Sequence, residues 1–493
     1  GLNPLLQNFW MVIHPPIVFM GYAAYTVPFA LVVGGLITGR FSQEWLGAVR
    51  RWALFAWLFL GAGILMGAWW AYLELGWGGY WGWDPVENSS LIPWLTGTAL
   101  LHSLMMQEHR NTWRKWNVWL VALTFILCLF ATFVTRSGLI QSVHAFERSS
   151  LGYYFIAFIL LSLVTVLYLA SRRRQELSIP QDLSGVLSRE SGMFLTNLLF
   201  VGAAGVVLLG ILFPTIMGSL EGRELSLGAS FYEKTVGPLA QLIVLVIGIC
   251  PWLPWGGASS TRWRQGLLPA AVSALVTVIL LFVLGVRQGT ALGAFGVAAF
   301  VLVSIVSAVY QDVQARRRSK GENPVIALMA MIRRSHRRYG GHLVHLGVEL
   351  IAIGITGSSV YQNEVQVSLS QGETVDFGGY TLKYQQPFLE NTPLYQRVGT
   401  QINVLSNNKQ VATLEPKKDF YLASQQWVTE VAIRSTPRQD LYVILAGVEN
   451  NGALASFRLL ANPLVQWLWS GGALLLLGGV VAWWPSAPGG REK

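Results

Sequence analysis

Long apolar runs recur along almost the whole of this 493-residue chain. A helix rises about 1.5 Å per residue, so about 20 apolar residues are enough to cross the hydrocarbon core of a bilayer. About eleven runs reach that length, and their predicted bounds are 16–38, 52–72, 90–108, 117–135, 151–171, 193–213, 236–253, 268–286, 291–311, 340–360 and 463–484. The pattern predicts an α-helical polytopic membrane protein with about eleven transmembrane helices.

Residues 361–460 follow a different pattern, in which apolar and polar side chains alternate with a period of two. Examples are Tyr380-Thr-Leu-Lys-Tyr and Gln401-Ile-Asn-Val-Leu, and turn signals occur at Asn407-Asn408 and Asn450-Asn451-Gly452. Such alternation between turns is typical of β-hairpins. We therefore predict three parts, which are a transmembrane helical core at 1–360, a small β-rich domain at 361–460, and a final helix with a tail at 461–493.

Basic residues lie mainly in short segments between the apolar runs. The chain has 35 Lys and Arg against 25 Asp and Glu, a net charge of +10, yet only 12% of its residues are charged. The basic residues cluster at 40–51, 110–115, 172–174, 316–320 and 333–338, as the positive-inside rule expects of cytoplasmic loops. This distribution indicates contact with membrane lipid and disfavours nucleic-acid binding.

Strict alternation of the spans then places residues 73–89, 136–150 and 214–235 on the outer side, together with the β-rich domain. The chain begins at Gly1 and opens with no signal-peptide pattern. Because Gly1 also falls on the outer side, we expect a missing upstream portion with an even number of helices, unless the native terminus itself lies outside.

One outer segment interleaves aromatic residues with glycines: Trp77-Gly-Gly-Tyr-Trp-Gly-Trp-Asp-Pro-Val-Glu-Asn. Large aromatic faces beside glycines, which permit close backbone approach, suit a flat and mostly apolar ligand. An interfacial aromatic belt explains one or two tryptophans at a helix end, but not this interleaving. We interpret the segment at 69–94 as a ligand-binding loop, with candidate contacts at Trp69, Trp70, Trp77, Gly78, Gly79, Trp81, Trp83, Asp84 and Trp94.

The two carboxylates of this segment have a structural explanation. Asp84, Pro85 and Glu87 occupy the N-cap, N1 and N3 positions of a predicted helix at 85–108, which is a capping-box arrangement. Capping alone explains both acidic side chains. The sequence therefore leaves the catalytic residues unknown.

Two histidines share the outer side with this loop. His14 precedes the span at 16–38, and His144 lies in the outer loop at 136–150. Each alone is more typical of a hydrogen-bonded loop histidine, but two that flank a flat aromatic platform suggest axial ligands to a metalloporphyrin iron. Arg136, at the outer end of its span, is a candidate partner for a haem propionate or a snorkelling anchor.

Two further histidines lie inside predicted spans, where ionisable residues are costly and usually functional. His102 and His345 are each predicted at about 7–10 Å below the inner surface, from their distance in residues to the helix ends. Two histidines that hold one haem between two helices must lie at the same depth in the membrane, and these two are predicted to do so. The alternative is a pair of unrelated polar contacts, and His342, one turn away, competes with His345 as the ligand.

These residues together resemble a known family. The tryptophan-rich segment is similar to the WWD signature of haem-handling membrane proteins. Trp83-Asp-Pro-Val-Glu-Asn, His14-Pro-Pro and Ser142-Val-His-Ala-Phe in combination resemble the CcmF family. The resemblance covers essentially the whole chain, including the β-rich domain. Members of that family carry further helices before His-Pro-Pro, which agrees with the upstream portion expected above.

The resemblance implies a haem lyase component of cytochrome c maturation in the bacterial inner membrane. Such proteins are thought to receive haem from the haem chaperone CcmE at the WWD loop, with axial ligands that match His14 and His144. They also hold a resident haem b, the proposed reductant, through ligands that match His102 and His345. The partner CcmH presents an apocytochrome c, whose Cys-x-x-Cys-His motif is joined to the haem vinyl groups by thioether bonds.

The cysteines agree with thiols supplied by a partner, because Cys128 and Cys250 are far apart and form no CxxC motif. Three alternatives stay open. They are a CcsA-type cytochrome c synthetase subunit, a haem transporter without lyase activity, and an electron-transfer or quinone-binding membrane cytochrome. The β-rich domain and the Asp84-Pro-Val-Glu-Asn sequence favour the CcmF type over the CcsA type.

Overall fold

The computed structural model describes residues 4–138, 142, 149–178, 185, 187–221, 227–257 and 262–484. The helices in these ranges are α1 (Phe9–Ala24), α2 (Thr26–Thr38), α3 (Gln43–Glu74), α4 (Pro85–Arg110), α5 (Arg114–Ser137), α6 (Leu151–Arg172), α7 (Arg174–Leu177), α8 (Arg189–Glu221), α9 (Ala229–Ile249), α10 (Arg262–Val283), α11 (Gly289–Lys320), α12 (Pro324–Arg334), α13 (His336–Val360) and α14 (Val465–Trp483). The predicted polytopic helical fold is confirmed.

Among the described residues, ten helical segments are long and apolar enough to cross a membrane, against the eleven predicted. The difference is α4, which covers the predicted span at 90–108 but is too polar to meet the same criterion. Helix α4 packs against α3, α5 and α8, and two of its hydroxyl groups accept hydrogen bonds from side chains of α3 and α5. Thr98 accepts a hydrogen bond from Trp57 (2.8 Å), and Thr124 pairs with Thr96 (3.0 Å). A helix enclosed by other helices needs no apolar face toward lipid.

The first span begins earlier than predicted. Helix α1 starts at Phe9, where the Asn8 side chain accepts a hydrogen bond from the Trp10 amide (2.7 Å), and it continues through Pro15 and Pro16. The predicted start at 16 was therefore wrong, and His14 lies within α1 rather than before it.

Helices α13 and α14 pack closely through glycines at seven-residue spacing. On α13 these are Gly340, Gly347 and Gly354. Gly340 faces Gly478 of α14, Gly347 faces Gly471, and Gly354 faces Leu468. A Cβ atom at Gly347 would lie 2.5 Å from the Leu475 amide nitrogen and 2.7 Å from the Gly471 carbonyl oxygen. Small residues of this kind let helix backbones approach in a membrane.

This seam gives a test of the packing. We expect Gly347→Ala to lower the stability of the protein by about 1–3 kcal/mol, because the added methyl meets backbone that cannot move aside. The matched control is Gly341→Ala, on the same helix, where the added Cβ meets nothing within 4 Å. Thermal unfolding midpoints of the two detergent-solubilised variants measure the difference. Equal midpoints would contradict the seam.

The predicted β-rich domain before the last helix is confirmed. Its strands are β1 (Asn363–Ser370), β2 (Thr374–Phe377), β3 (Tyr380–Asn391), β4 (Tyr395–Ser406), β5 (Lys409–Leu414), β6 (Lys417–Tyr421), β7 (Gln426–Glu430), β8 (Ala432–Ser435), β9 (Gln439–Glu449) and β10 (Leu454–Pro463). One sheet has the order β1-β10-β9-β8; the other has the order β2-β3-β4-β6-β7, with β5 also paired to β4. Every pairing is antiparallel.

Both sheets contribute alternate side chains to one apolar core, which makes the domain a sandwich. Tyr384 of β3, Val404 of β4, Leu445 of β9 and Phe457 of β10 are buried there. The predicted turn at Asn407-Asn408 joins β4 to β5, with both residues at positive φ. The sandwich contacts α3, α13 and α14 where these helices meet it. We call this end of the helical bundle the sandwich end.

Candidate functional site

The loop between α3 and α4, residues 75–84, lies at the sandwich end; we call it the tryptophan loop. Its backbone is left-handed at Gly76, Gly78 and Trp83. The Trp77 ring occupies the space that a Cβ atom at Gly82 would need. Glycine therefore suits the left-handed positions 76 and 78 and the ring contact at 82, whereas Trp83 adopts the same conformation without being glycine.

One aromatic ring from outside the loop, that of Tyr232, adds to its aromatic surface. The Trp83 ring stacks on Tyr232 of α9, with ring centres 4.8 Å apart and an interplanar angle of 3°, and it meets Trp81 edge-on at 6.2 Å. Sequence reasoning did not select Tyr232. The aromatic pair Phe231-Tyr232 in the predicted outer loop at 214–235 was the available signal.

The predicted capping box is present at the end of the loop. The Asp84 carboxylate accepts a hydrogen bond from the Val86 amide (2.9 Å), and the Glu87 carboxylate accepts one from the Asp84 amide (3.1 Å). Glu87 also accepts from the Gly82 amide (2.9 Å), and the Ser142 hydroxyl donates to Asp84 (2.6 Å). Both carboxylates thus hold the loop and the start of α4 in place.

His14 lies directly against the helix that leads into the tryptophan loop. Its ring is nearly parallel to the Trp70 ring of α3, with an angle of 20° and centres 6.1 Å apart. A Cβ atom at Gly67 would lie 3.1 Å from the His14 ring, so a glycine makes room for the imidazole. Glu74 accepts a hydrogen bond from the Asn8 amide group, which ties the start of α1 to the end of α3.

The other predicted contact residues occupy different surroundings. The Trp69 ring packs edge-on against Trp469 of α14, with centres 4.6 Å apart. The Arg136 guanidinium lies 5.7 Å from the centre of the Phe19 ring, on the helix that carries His14. Trp94 lies farther along α4 and stacks on Trp57 (5.3 Å). The structure therefore brings Arg136 to the His14 helix and separates Trp94 from the loop.

His102 and His345 come together within the helical bundle, where both side chains are half-buried. Their ring centres are 6.3 Å apart and their planes differ by 10°. The His102 Nδ1 atom donates to the Thr98 carbonyl oxygen at 2.8 Å, which leaves Nε2 to act as a metal ligand. His342, the competing candidate, packs instead against Tyr339, with ring centres 5.9 Å apart.

The histidine pair fits a haem iron. An imidazole nitrogen binds a first-row metal at about 2.0–2.1 Å and its ring centre lies about 1.1 Å behind, so two rings on one iron have centres about 6 Å apart. The observed separation is 6.3 Å. His345 lies fifteen positions, or about 22 Å, before the end of α13 at Val360, whereas His14 faces Gly67, seven positions or about 10 Å before the end of α3 at Glu74. The pair therefore lies deeper in the bundle than the His14 site. His144 lies outside the described residues.

A buried polar network, which sequence reasoning did not detect, joins the tryptophan loop to the sandwich. The Gly78 carbonyl accepts a hydrogen bond from the Asn462 side chain (3.1 Å), which also donates to the Tyr72 hydroxyl (3.1 Å). The Tyr72 hydroxyl donates to Asp440 (3.1 Å). Burial raises the pKa of the Asp440 carboxyl, and the hydrogen bonds from Gln466, Ser435 and Tyr72 oppose that rise. No local sequence signal marks this network.

Comparison with known proteins agrees with this architecture. A family model described as "Cytochrome C assembly protein" matches residues 1–141, and one described as "CcmF C-terminal beta-sandwich" matches residues 360–463. A solved structure described as "Cytochrome c Heme Lyase CcmF" is similar over 97% of this chain and 73% of that chain, with a TM-score of 0.80 and 29% identity.

Several relatives extend this similarity. The cytochrome c-type biogenesis protein CcmF of Pseudomonas aeruginosa is 38% identical over 98% of this chain and 72% of its own length. The CcmF protein of Escherichia coli is 34% identical over 97% of this chain and 72% of its own length. The family predicted from the tryptophan-rich segment is thereby confirmed. The chain belongs to the CcmF family of cytochrome c-type biogenesis proteins and is a multi-pass membrane protein of this bacterial system.

Proposed function

We propose that this protein is the haem lyase component of cytochrome c maturation. It receives substrate haem at the tryptophan loop, with His14 and His144 as iron ligands, and promotes attachment of that haem to an apocytochrome c. One observation carries the proposal: the His14 imidazole lies parallel to Trp70 on α3, the helix that leads into a loop shaped by glycines and tryptophans. The names of the relatives, cytochrome c-type biogenesis protein and cytochrome c haem lyase, support the same function.

The residues at the loop have separate tasks in this function. The Trp77, Trp81 and Trp83 rings supply flat apolar surface for the porphyrin, and His14 supplies an axial nitrogen for its iron. Arg136, whose guanidinium lies against Phe19 of the helix that carries His14, pairs with a haem propionate. Asp84 and Glu87 hold the loop through backbone hydrogen bonds rather than reacting with the haem.

The bond-forming step needs two thiols that this chain does not place at the loop. Cys128 is buried within α5, and Cys250 follows α9 at the end away from the sandwich. Both thiols therefore come from the Cys-x-x-Cys-His motif of the apocytochrome. Each thiol adds across one haem vinyl group, so that sulfur bonds to the inner vinyl carbon and the thiol hydrogen ends on the terminal carbon. The addition is redox-neutral.

His102 and His345 are proposed to hold a resident haem b. When bound, this haem would supply electrons that keep the iron of the substrate haem ferrous. The protein contributes the two imidazoles at a fixed separation of 6.3 Å, and the Thr98 carbonyl orients one of them. The neighbouring α4 residues Leu100, Ser103 and Leu104 are fully buried, whereas both imidazoles are half-buried and so stay accessible to a bound haem.

The partners and orientation follow from the same proposal. CcmE delivers haem at the tryptophan loop, and CcmH presents the apocytochrome there. The sandwich end faces the outer side of the bacterial inner membrane, because the arginine-rich loops favour the cytoplasmic side.

Covalent attachment distinguishes a lyase from a haem transporter. We expect a strain that lacks its own maturation proteins to form a haem-stained cytochrome c band, resistant to denaturation, when it receives this protein with CcmE, CcmH and an apocytochrome. The matched control is an apocytochrome with both motif cysteines replaced by serine, which should give no such band. Haem delivered to the outer side without any covalent band for the intact motif would reject the lyase function and favour transport.

A further inference from the structure

We propose that Asn462, the residue next to the end of the sandwich, is a positioning residue for substrate haem. It holds the tryptophan loop by the Gly78 carbonyl and so sets where the loop tryptophans lie relative to His14. This inference rests on the proposed function of the loop. The sandwich would then help to shape the haem site.

The loop is in direct contact with the sandwich at Gly78. The backbone there is left-handed, with φ of +83°, and a Cβ atom would overlap the Leu460 side chain of β10. The Gly78 carbonyl accepts from Asn462 at 3.1 Å, and the Gln362 side chain, at the start of the sandwich, approaches the same oxygen at 3.4 Å. Both ends of the domain therefore converge on one carbonyl group of the loop.

The Asn462 side chain has only one orientation that satisfies its neighbours. Its oxygen accepts from the Gln362 amide group (2.7 Å), and its nitrogen donates both to Gly78 and to the Tyr72 hydroxyl (3.1 Å). The residue is 1% exposed, so water cannot replace these bonds. A buried amide with all its partners in place rigidifies the groups that it joins.

The network continues from Asn462 into the helices on either side of the loop. The Tyr72 hydroxyl donates to Asp440, and the Gln466 side chain, in the first turn of α14, donates to both oxygens of that carboxylate (3.1 and 3.2 Å). The Tyr442 hydroxyl donates to the Tyr72 carbonyl oxygen (2.9 Å). Helix α3, strands β9 and β10 and helix α14 are thus linked to the loop through one set of hydrogen bonds.

The linked residues adjoin the groups that we assign to substrate haem. Tyr72 lies two positions after Trp70, whose ring stacks beside His14, and Gly78 directly follows Trp77. Movement of the Gly78 carbonyl therefore shifts Trp77 relative to Trp70. The apolar core inside the sandwich is a separate cluster, so loss of the Asn462 amide leaves that core unchanged.

The test compares Asn462→Asp and Asn462→Ala with the wild type in the full-length protein with its resident haem. Asn462→Asp keeps the size of the side chain but replaces the donor group with an oxygen that repels the Gly78 carbonyl. We expect the half-saturating concentration of haem-loaded CcmE to rise by about tenfold to a hundredfold, as is typical when a binding group is misplaced by about 1 Å. After oxidation of the captured haem to the ferric form, its low-spin electron paramagnetic resonance signal should broaden.

The resident haem serves as an internal reference, because its ligand His345 lies about 22 Å along α13 from the sandwich end, where Asn462 lies. The absorption of the resident haem should match the wild type in both variants, whereas the unfolding midpoint should fall, because each change leaves buried hydrogen-bonding partners unsatisfied. The matched control is Asn403→Asp, elsewhere in the sandwich, where the side chain accepts from Thr413 (3.1 Å); it should capture haem like the wild type.

Three outcomes bear on the inference. Normal haem capture by both Asn462 variants overturns it. Loss of the resident haem together with the captured haem also overturns it, because the contact would then be purely structural. Failure of the wild type itself to capture haem rejects the proposed function instead, which keeps the two conclusions separate.

Discussion

Replacing His345 with alanine will remove the haem absorption of the purified protein. The His345 ring centre lies 6.3 Å from that of His102, the separation of two imidazoles on one iron, and alanine leaves one axial position without a protein ligand. Loss of one strong ligand exceeds the tenfold to hundredfold loss of affinity that is typical of outer-shell changes. The haem content per protein, measured by the pyridine haemochrome method, should fall by more than about 90%. His102→Ala should have the same effect.

The control for this prediction is one turn away on the same helix. His342 packs against Tyr339 rather than against His102, so His342→Ala should keep its haem and the spectrum of two histidine ligands. Loss of haem in His342→Ala together with full retention in His345→Ala would show that the ligand is the other histidine. Full haem content in His345→Ala and His102→Ala alike would reject the haem b site.

Replacing His14 with alanine will abolish covalent haem attachment while the resident haem stays in place. His14 lies at the sandwich end, stacked on Trp70, and is separated from the His102–His345 pair by much of the bundle. The substrate iron loses an axial ligand, so haem-stained cytochrome c should fall by more than about a hundredfold. The resident haem spectrum should be unchanged, because neither of its ligands touches this position. His144→Ala is expected to behave in the same way.

His109→Ala is the control for a general effect of removing a histidine. His109 lies in the last turn of α4, at the other end of the bundle, against the Trp255 ring (5.2 Å). This variant should attach haem at the wild-type level. Normal attachment in His14→Ala would contradict the assignment of substrate haem to the tryptophan loop. Loss of both haems in His14→Ala would instead indicate that the two positions belong to one cooperative folding unit.

Local patterns predicted the elements of this protein well, because a helix cap or a strand alternation depends on residues only a few positions apart. The capping box of Asp84 and Glu87 and the turn at Asn407-Asn408 are both present as predicted. The start of the first helix was predicted at residue 16, but α1 begins at Phe9. The prediction followed the apolar run alone, and the structure shows that the Asn8 side chain caps the helix earlier by accepting a hydrogen bond from the Trp10 amide.

The hydropathy pattern was less informative where burial depends on neighbouring helices. It treated the segment at 90–108 as one more span, but α4 carries buried polar residues such as Ser89, Thr96 and Gln107. Other helices pack against it, and its hydroxyl groups bond mainly to carbonyl groups of α4 itself, with Thr96 and Thr98 also accepting from neighbouring helices. Hydropathy measures transfer of a single segment to lipid, so it cannot represent a helix whose surroundings are mostly protein.

The sequence by itself determined the membrane class, the separate β-rich domain and the residue types that suit a flat iron-containing ligand. Tertiary structure alone decided which of them meet: Trp70 beside His14, His345 opposite His102, and Asn462 against Gly78. The physical reason is that these contacts join segments far apart in the chain. They arise only when whole helices pack, through glycines such as Gly67 and Gly347 that remove the side chains otherwise keeping the partners apart.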